Sequence, residues 1–200
     1  MKKGCLIGLI FGGLAAFLLL MFILWGVNVY NRMVSMNESV TAQWGNVETQ
    51  YQRRADLIPN FVNTVKGAAN FEQETLTRVI EARAKATSVT IDPSNLSEEA
   101  LAQFQQAQGE ISSALSRLMV VVEKYPEIKA TQNFRDLQVE LEGTENRIAV
   151  ERRKFNETAQ AYNAYIKKFP QNILAGMFGF REKGYFKSAE GTEKAPQVQF

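Results

Sequence analysis

From Gly4 to Asn31 the chain carries no charge, and its apolar core, Leu6 to Gly26, reads LIGLIFGGLAAFLLLMFILWG. At 1.5 Å rise per residue this stretch spans roughly 30 Å, the hydrocarbon thickness of a bilayer. Trp25 and Tyr30 stand at its downstream edge, where amphipathic rings prefer the headgroup zone. The pattern predicts a transmembrane helix over residues 4–30. A cleaved signal peptide is the competing reading. It requires a shorter apolar run and a small-residue cleavage site, and WGVNVYNRM offers no A-x-A pattern. Lipidation of Cys5 requires an apolar stretch ahead of the cysteine, where only MKKG stands.

Downstream the apolar positions recur at 3-4 spacing, the mark of one buried face on each helix. Val40, Trp44, Val47 and Tyr51 form the first stripe. Ile58, Phe61, Val62, Val65, Leu76, Val79 and Ile80 form the second. The third runs from Leu101 through Phe104, Ile111, Leu115 and Leu118 to Val121 and Val122. The longest runs from Phe134 through Leu141, Ile148, Phe155 and Tyr162 to Ile166 and Phe169.

Turn chemistry separates the stripes. Pro59 lacks a backbone N–H and sits best at the start of a helix or at a kink. TSVTIDPSNLS, residues 87–97, is rich in β-branched and turn residues, and Ser97 before Glu98 and Glu99 reads as an N-cap. KYPEIKAT, residues 124–131, carries Pro126. The expected helices are 31–57, 59–86, 98–124 and 130–168. The fold class is therefore all-α: a single N-terminal transmembrane helix followed by an antiparallel four-helix bundle over 31–168. A single kinked rod over the first two helices is the alternative. An irregular aromatic and glycine-rich segment, 169–188, and a flexible tail, 189–200, complete the organisation.

Composition narrows the chemistry. The 200 residues contain no histidine, which removes Ser-His-Asp and Cys-His catalysis and every His-ligated metal site. One cysteine, Cys5, allows no intrachain disulfide. The net charge is +2, and Lys2 and Lys3 account for it. A neutral remainder has no electrostatic footprint for nucleic acid. No Walker or dinucleotide-binding glycine pattern is present. No cofactor and no metal are expected. Lys2 and Lys3 outweigh Arg32 in the flanks of the apolar stretch, which favours a body outside the cytoplasm.

Gly4, Gly8 and Gly12 are four apart, and Ala16 continues the row on one helix face. Small residues there let two membrane helices approach closely, so these glycines are candidates for self-association.

The runs YNRMVSMNESVTAQWGNVETQYQRRADLIPNFVNTVKG, residues 30–67, and AYNAYIKKFPQNILAGMFGFREKGYF, residues 161–186, resemble the LemA family of bacterial membrane proteins. So do ARA, residues 82–84, and the APQVQF motif, 195–200. QRRADLIPN and FP-x-N-x-x-A-G-x-x-G-F carry the resemblance best. Residues 87–130 contribute nothing to it, and Phe61 stands where the family pattern favours Leu. The resemblance implies one N-terminal membrane helix, an antiparallel helical bundle and a bacterial inner-membrane location. It implies no enzymatic activity.

Two places hold candidate function. Arg53, Arg54, Asp56, Pro59 and Asn60 cluster at the expected first turn, either as a polar recognition site or as turn architecture. The second is the C-terminal segment, with Phe178, Phe180, Tyr185 and Phe186 among glycines. In an up-down-up-down bundle the fourth helix returns to the membrane. The segment then docks in the bilayer interface, caps its own bundle, or packs on a neighbouring subunit. Val198 and Phe200 alternate in the tail and suit strand addition to a partner.

The resulting expectation is a non-enzymatic, single-pass scaffold at the bacterial membrane. Its partners are the lipid bilayer, other copies of the chain and a possible membrane protein. An adaptor for a membrane protease or sensor, acting through the tail, is the alternative. An enzyme using carboxylates alone is a third reading and requires a pocket holding two carboxylates with displaced pKa values.

Overall fold

A computed structural model describes residues 3–67 and 71–187, with side chains from Ile10 onward. It is helical throughout, with no strand among the described residues. The elements are α1 (Lys3–Lys66), α2 (Gln73–Ser88), α3 (Glu98–Val122), the short α4 (Pro126–Lys129), α5 (Gln132–Lys167) and α6 (Gln171–Phe178). They build two compact units. One takes in the chain up to Val40 together with Gln160–Glu182; the other takes in Thr41–Ala159 and the chain from Lys183. Helices α1 and α5 contribute residues to both.

In the first unit the start of α1 is the apolar stretch. Its mean hydropathy reaches 2.4 over a window in which nothing is buried. Among the described residues α1 is the one helix long and apolar enough to cross a membrane, as an anchor or as a signal segment. Phe11, Leu19 and Phe22 are 64–68% exposed, which water tolerates poorly and a hydrocarbon phase accepts.

The second unit is a four-helix bundle of α1, α2, α3 and α5. Its pairings fix the directions. Phe61 packs on Phe134 and Arg53 pairs with Glu140, so α1 and α5 run antiparallel. Lys85 pairs with Glu110 and Glu72 with Lys124, so α2 and α3 run antiparallel. The sequence stripes meet inside: Ile58, Phe61, Val65, Leu76, Val79, Ile111, Leu118 and Phe134 are all buried in one cluster. A second, aromatic cluster surrounds Trp44. Two stripe members depart from the pattern, for Ile80 and Phe169 are exposed.

Local chemistry sets the helix ends. Ser97 caps α3, its hydroxyl accepting from Ala100 N at 3.2 Å, with Glu98 and Glu99 in the first turn. Pro126 opens α4, where a missing N–H costs nothing. Asp92 turns the loop before α3, accepting from Ser94 N at 2.8 Å.

The first helix corrects the sequence reading. No turn occurs at Ile58–Pro59; α1 continues through Pro59 to Lys66, and α2 begins at Gln73. Neither 31–57 and 59–86 nor one rod through 86 describes the chain. The bundle still has four helices, with the first longer and the second shorter than expected. The carbonyl that Pro59 leaves without a helical donor, Ala55 O, accepts from Arg83 on α2.

Candidate functional site

The C-terminal segment divides between the two units. In the first unit, Lys168 and Phe169 lead into a cis Phe169–Pro170 bond, and α6 follows. Gly179 ends α6 in the left-handed region, φ +76°, and Phe180 N donates to Ala175 O at 3.0 Å. A residue with a Cβ is strained in that conformation. Phe178 and Phe180 then meet Tyr30 of α1 edge-on, with centroids at 4.9 and 5.7 Å. Tyr30 lies five residues beyond Trp25, about 7.5 Å along the helix. Arg32 sits over the Tyr165 ring at 5.3 Å, and Lys167 pairs with Glu182 at 2.6 Å. Helix α6 buries Ala175 and leaves an apolar face open: Phe169 is 80% exposed, Met177 73%, Phe178 55% and Ile173 54%.

In the second unit, residues 183–187 form an irregular segment held at several points. Gly184 N donates to Leu96 O at 2.8 Å. A Cβ on Gly184 would lie 2.7 Å from Glu98 Cα, so the backbones touch there. Asn156 clamps Phe186 from both sides: its Nδ2 donates to Phe186 O and its Oδ1 accepts from Phe186 N, each at 2.9 Å. The Phe186 ring lies parallel to Trp44 at 6.1 Å, meets Phe155 edge-on at 5.5 Å and carries the Arg152 guanidinium 4.8 Å above it. Lys187 O accepts from Gln105 and Arg152, tying α3 to α5. The Lys187 ammonium donates to Glu98, which holds the Glu98 carboxyl below its usual range and raises the Lys187 pKa.

Of the sequence candidates, Phe178 and Phe180 therefore come together with Tyr30. Phe186 is 5% exposed and belongs to the aromatic cluster of its own bundle, the capping alternative. Tyr185 is exposed but partnered. Gly12 has nothing within 4 Å of a Cβ position. Gly4 and Gly8 lie within α1, and their surroundings, like Val198 and Phe200, fall outside the described residues.

The Arg53–Asn60 cluster is a set of mid-helix positions rather than a turn. Arg53 pairs with Glu140 at 2.7 Å, and Asp56 accepts from Gln52 at 2.8 Å. They line an open polar groove with Glu48, Asn60 and Arg147. Arg54 turns inward and is 2% exposed. It donates to Glu145 and Gln108 Oε1 at 2.7 Å, to Ser112 at 3.0 Å and to Gln108 O at 3.1 Å, joining α1, α3 and α5. Such a paired, buried arginine adds little net stability, because the cost of desolvation offsets the attraction, but removing one partner leaves a buried charge uncompensated. The sequence places Arg54 in a polar cluster at an expected turn, and nothing local in it signals that this side chain is buried. Burial pushes up the pKa of the neighbouring Tyr51, against the pull of Arg152 and Arg54. Among the described residues no cluster of three or more carboxylates, cysteines or histidines is grouped to hold a metal.

The LemA family profile matches residues 43–200. The chain belongs to the LemA family. It is 30% identical over 177 residues to magnetosome protein MamQ 1 of Paramagnetospirillum magneticum strain AMB-1, covering 79% of this chain and 64% of the relative. MamQ of Magnetospirillum gryphiswaldense matches at 30% over 176 residues, 78% of this chain and 64% of the relative. Protein LemA of Metamycoplasma hominis is 24% identical over 144 residues, 72% of this chain and 62% of that protein. The chain thus spans a little under two thirds of the length of these relatives. The family match takes in the whole bundle segment beyond Gln43 and both halves of the divided C-terminal segment.

Proposed function

We propose that this LemA-family chain is a non-enzymatic, single-pass protein of the bacterial inner membrane whose bundle acts as a scaffold or assembly module, self-associating in the plane of the bilayer. The observation that carries the reading is the exposed apolar start of α1, with Gly12 open on it. A helix so exposed needs lipid or another helix around it, and small residues favour close helix pairing. The bundle itself is closed by aromatic packing around Trp44 and by cross-helix ties such as Arg54, which suits a rigid module. Lys2 and Lys3 favour a body outside the cytoplasm.

Crosslinking of the full chain in membranes tests the proposal. Exchanging Gly8 and Gly12 for Ile is expected to weaken the oligomer bands. Unchanged bands would remove the glycine face from the account.

A further inference from the structure

Helix α6 and its flanks present a surface that the bundle does not use. Phe169, Ile173, Met177 and Phe178 are each more than half exposed within one short stretch. A folded protein seldom leaves so many large apolar side chains adjacent and uncovered. Their position within the first unit bears on what covers them. Phe178 and Phe180 pack on Tyr30, within two helical turns of Trp25 at the end of the apolar span. The uncovered face is therefore continuous with the part of α1 that enters lipid.

The charge around this face is net positive. Lys167, Lys168 and Arg181 flank α6, and the one flanking acid, Glu182, is paired with Lys167, which leaves Lys168 and Arg181 to face outward. On α1 the first charge after the apolar stretch is Arg32, and the first acid is Glu38. Lys168, Arg181 and Arg32 are exposed. Apolar side chains bordered by cations, beside a bilayer-spanning segment, fit the interface of a membrane containing anionic lipid.

We infer that α6 is a second membrane contact, lying in the headgroup region with Ile173, Met177 and Phe178 among the acyl-chain ends and Lys168 and Arg181 on lipid phosphates. The inference rests on the anchor reading of α1 and adds a lateral foot to it. A spanning helix alone leaves the rotation and tilt of its membrane-exit turn free; an interfacial foot packed on Tyr30 fixes both.

The test places single cysteines, on a Cys5→Ser background, at Leu19, Ile173, Met177 and Val120 of the full chain. Each carries an environment-sensitive fluorophore, and quenching by lipids bearing a nitroxide near the headgroup end of the acyl chain is read. The chain is studied in single-copy nanodiscs of phosphatidylcholine with and without phosphatidylglycerol. Probes at Ile173 and Met177 are expected to be quenched several-fold more than at the exposed α3 position Val120, and more strongly with phosphatidylglycerol. Lys168→Gln with Arg181→Gln is expected to remove that lipid dependence. If Leu19 is quenched and Ile173 and Met177 are no better quenched than Val120, the foot is refuted while the anchor stands. If Leu19 itself escapes quenching, the anchor reading fails first. A Met177 probe that reports an apolar environment only in many-copy vesicles, without quenching by the nitroxide lipid, assigns the face to a second copy and overturns the lipid assignment.

Discussion

Arg83 of α2 donates its Nε–H to the carbonyl of Ala55 on α1 at 2.7 Å. Ala55 O is the acceptor that residue 59 would have served, and residue 59 is proline. A side chain from the neighbouring helix thus supplies the donor that the proline lacks, and α1 runs on for two more turns.

This relationship predicts a coupled effect. Arg83→Ala is expected to cost about 1–1.5 kcal/mol, the scale of a lost hydrogen bond with its carbonyl left under-satisfied. In a Pro59→Ala background the helix restores its own bond to Ala55, so the same change should cost clearly less. Denaturation of the four chains of the cycle in detergent, followed by circular dichroism, measures the difference. Equal costs in both backgrounds would show that Arg83 acts elsewhere.

The hold on residues 183–187 predicts a second effect. Gly184→Ala forces a Cβ against the Glu98 backbone, at an expected cost of about 1–3 kcal/mol. Phe186→Ala empties a place between Trp44, Phe155 and Arg152, costing about 3–5 kcal/mol. Amide exchange at Phe186 and Leu101 distinguishes the two, since the first change frees the strap and the second also loosens the core.

Ser97→Ala should destabilise the start of α3 by about 1 kcal/mol. Ser97→Asp should recover most of it. Hydrogen exchange at Ala100 reports the cap directly.

An alkaline effect follows from Tyr51. Burial raises its pKa above the ordinary value of 10.0, so the folded state favours the neutral phenol. Its contribution is fully present below about pH 10 and is lost as pH rises through the higher folded value. Stability should therefore fall above pH 10, with tyrosinate absorbance appearing alongside unfolding. Tyr51→Phe should flatten that limb of the curve.

Much of this was legible in the residues. The apolar stretch, the stripe through Val40, Trp44, Val47 and Tyr51, and the Ser97 cap are local patterns, and each lies where its spacing placed it. The turn expected at Pro59 is absent because the compensation comes from Arg83, 28 residues beyond Ala55 and on another helix. The aromatic segment was recognised as a unit, yet composition cannot say which ring goes inward. Gly184 decides it: only a residue without a side chain lets the backbone meet Glu98 and deliver Phe186 to Trp44. The inward turn of Arg54 is hidden for the same reason as the compensation at Pro59, since its partners Gln108, Ser112 and Glu145 lie on helices far along the chain.

The place of Phe186 also orders events during synthesis. Trp44 and Phe155 can find each other once α5 has emerged from the ribosome, but their shared socket stays open until residue 186 follows. A nascent chain stalled at residue 180 would lack the one ring that lies parallel to Trp44.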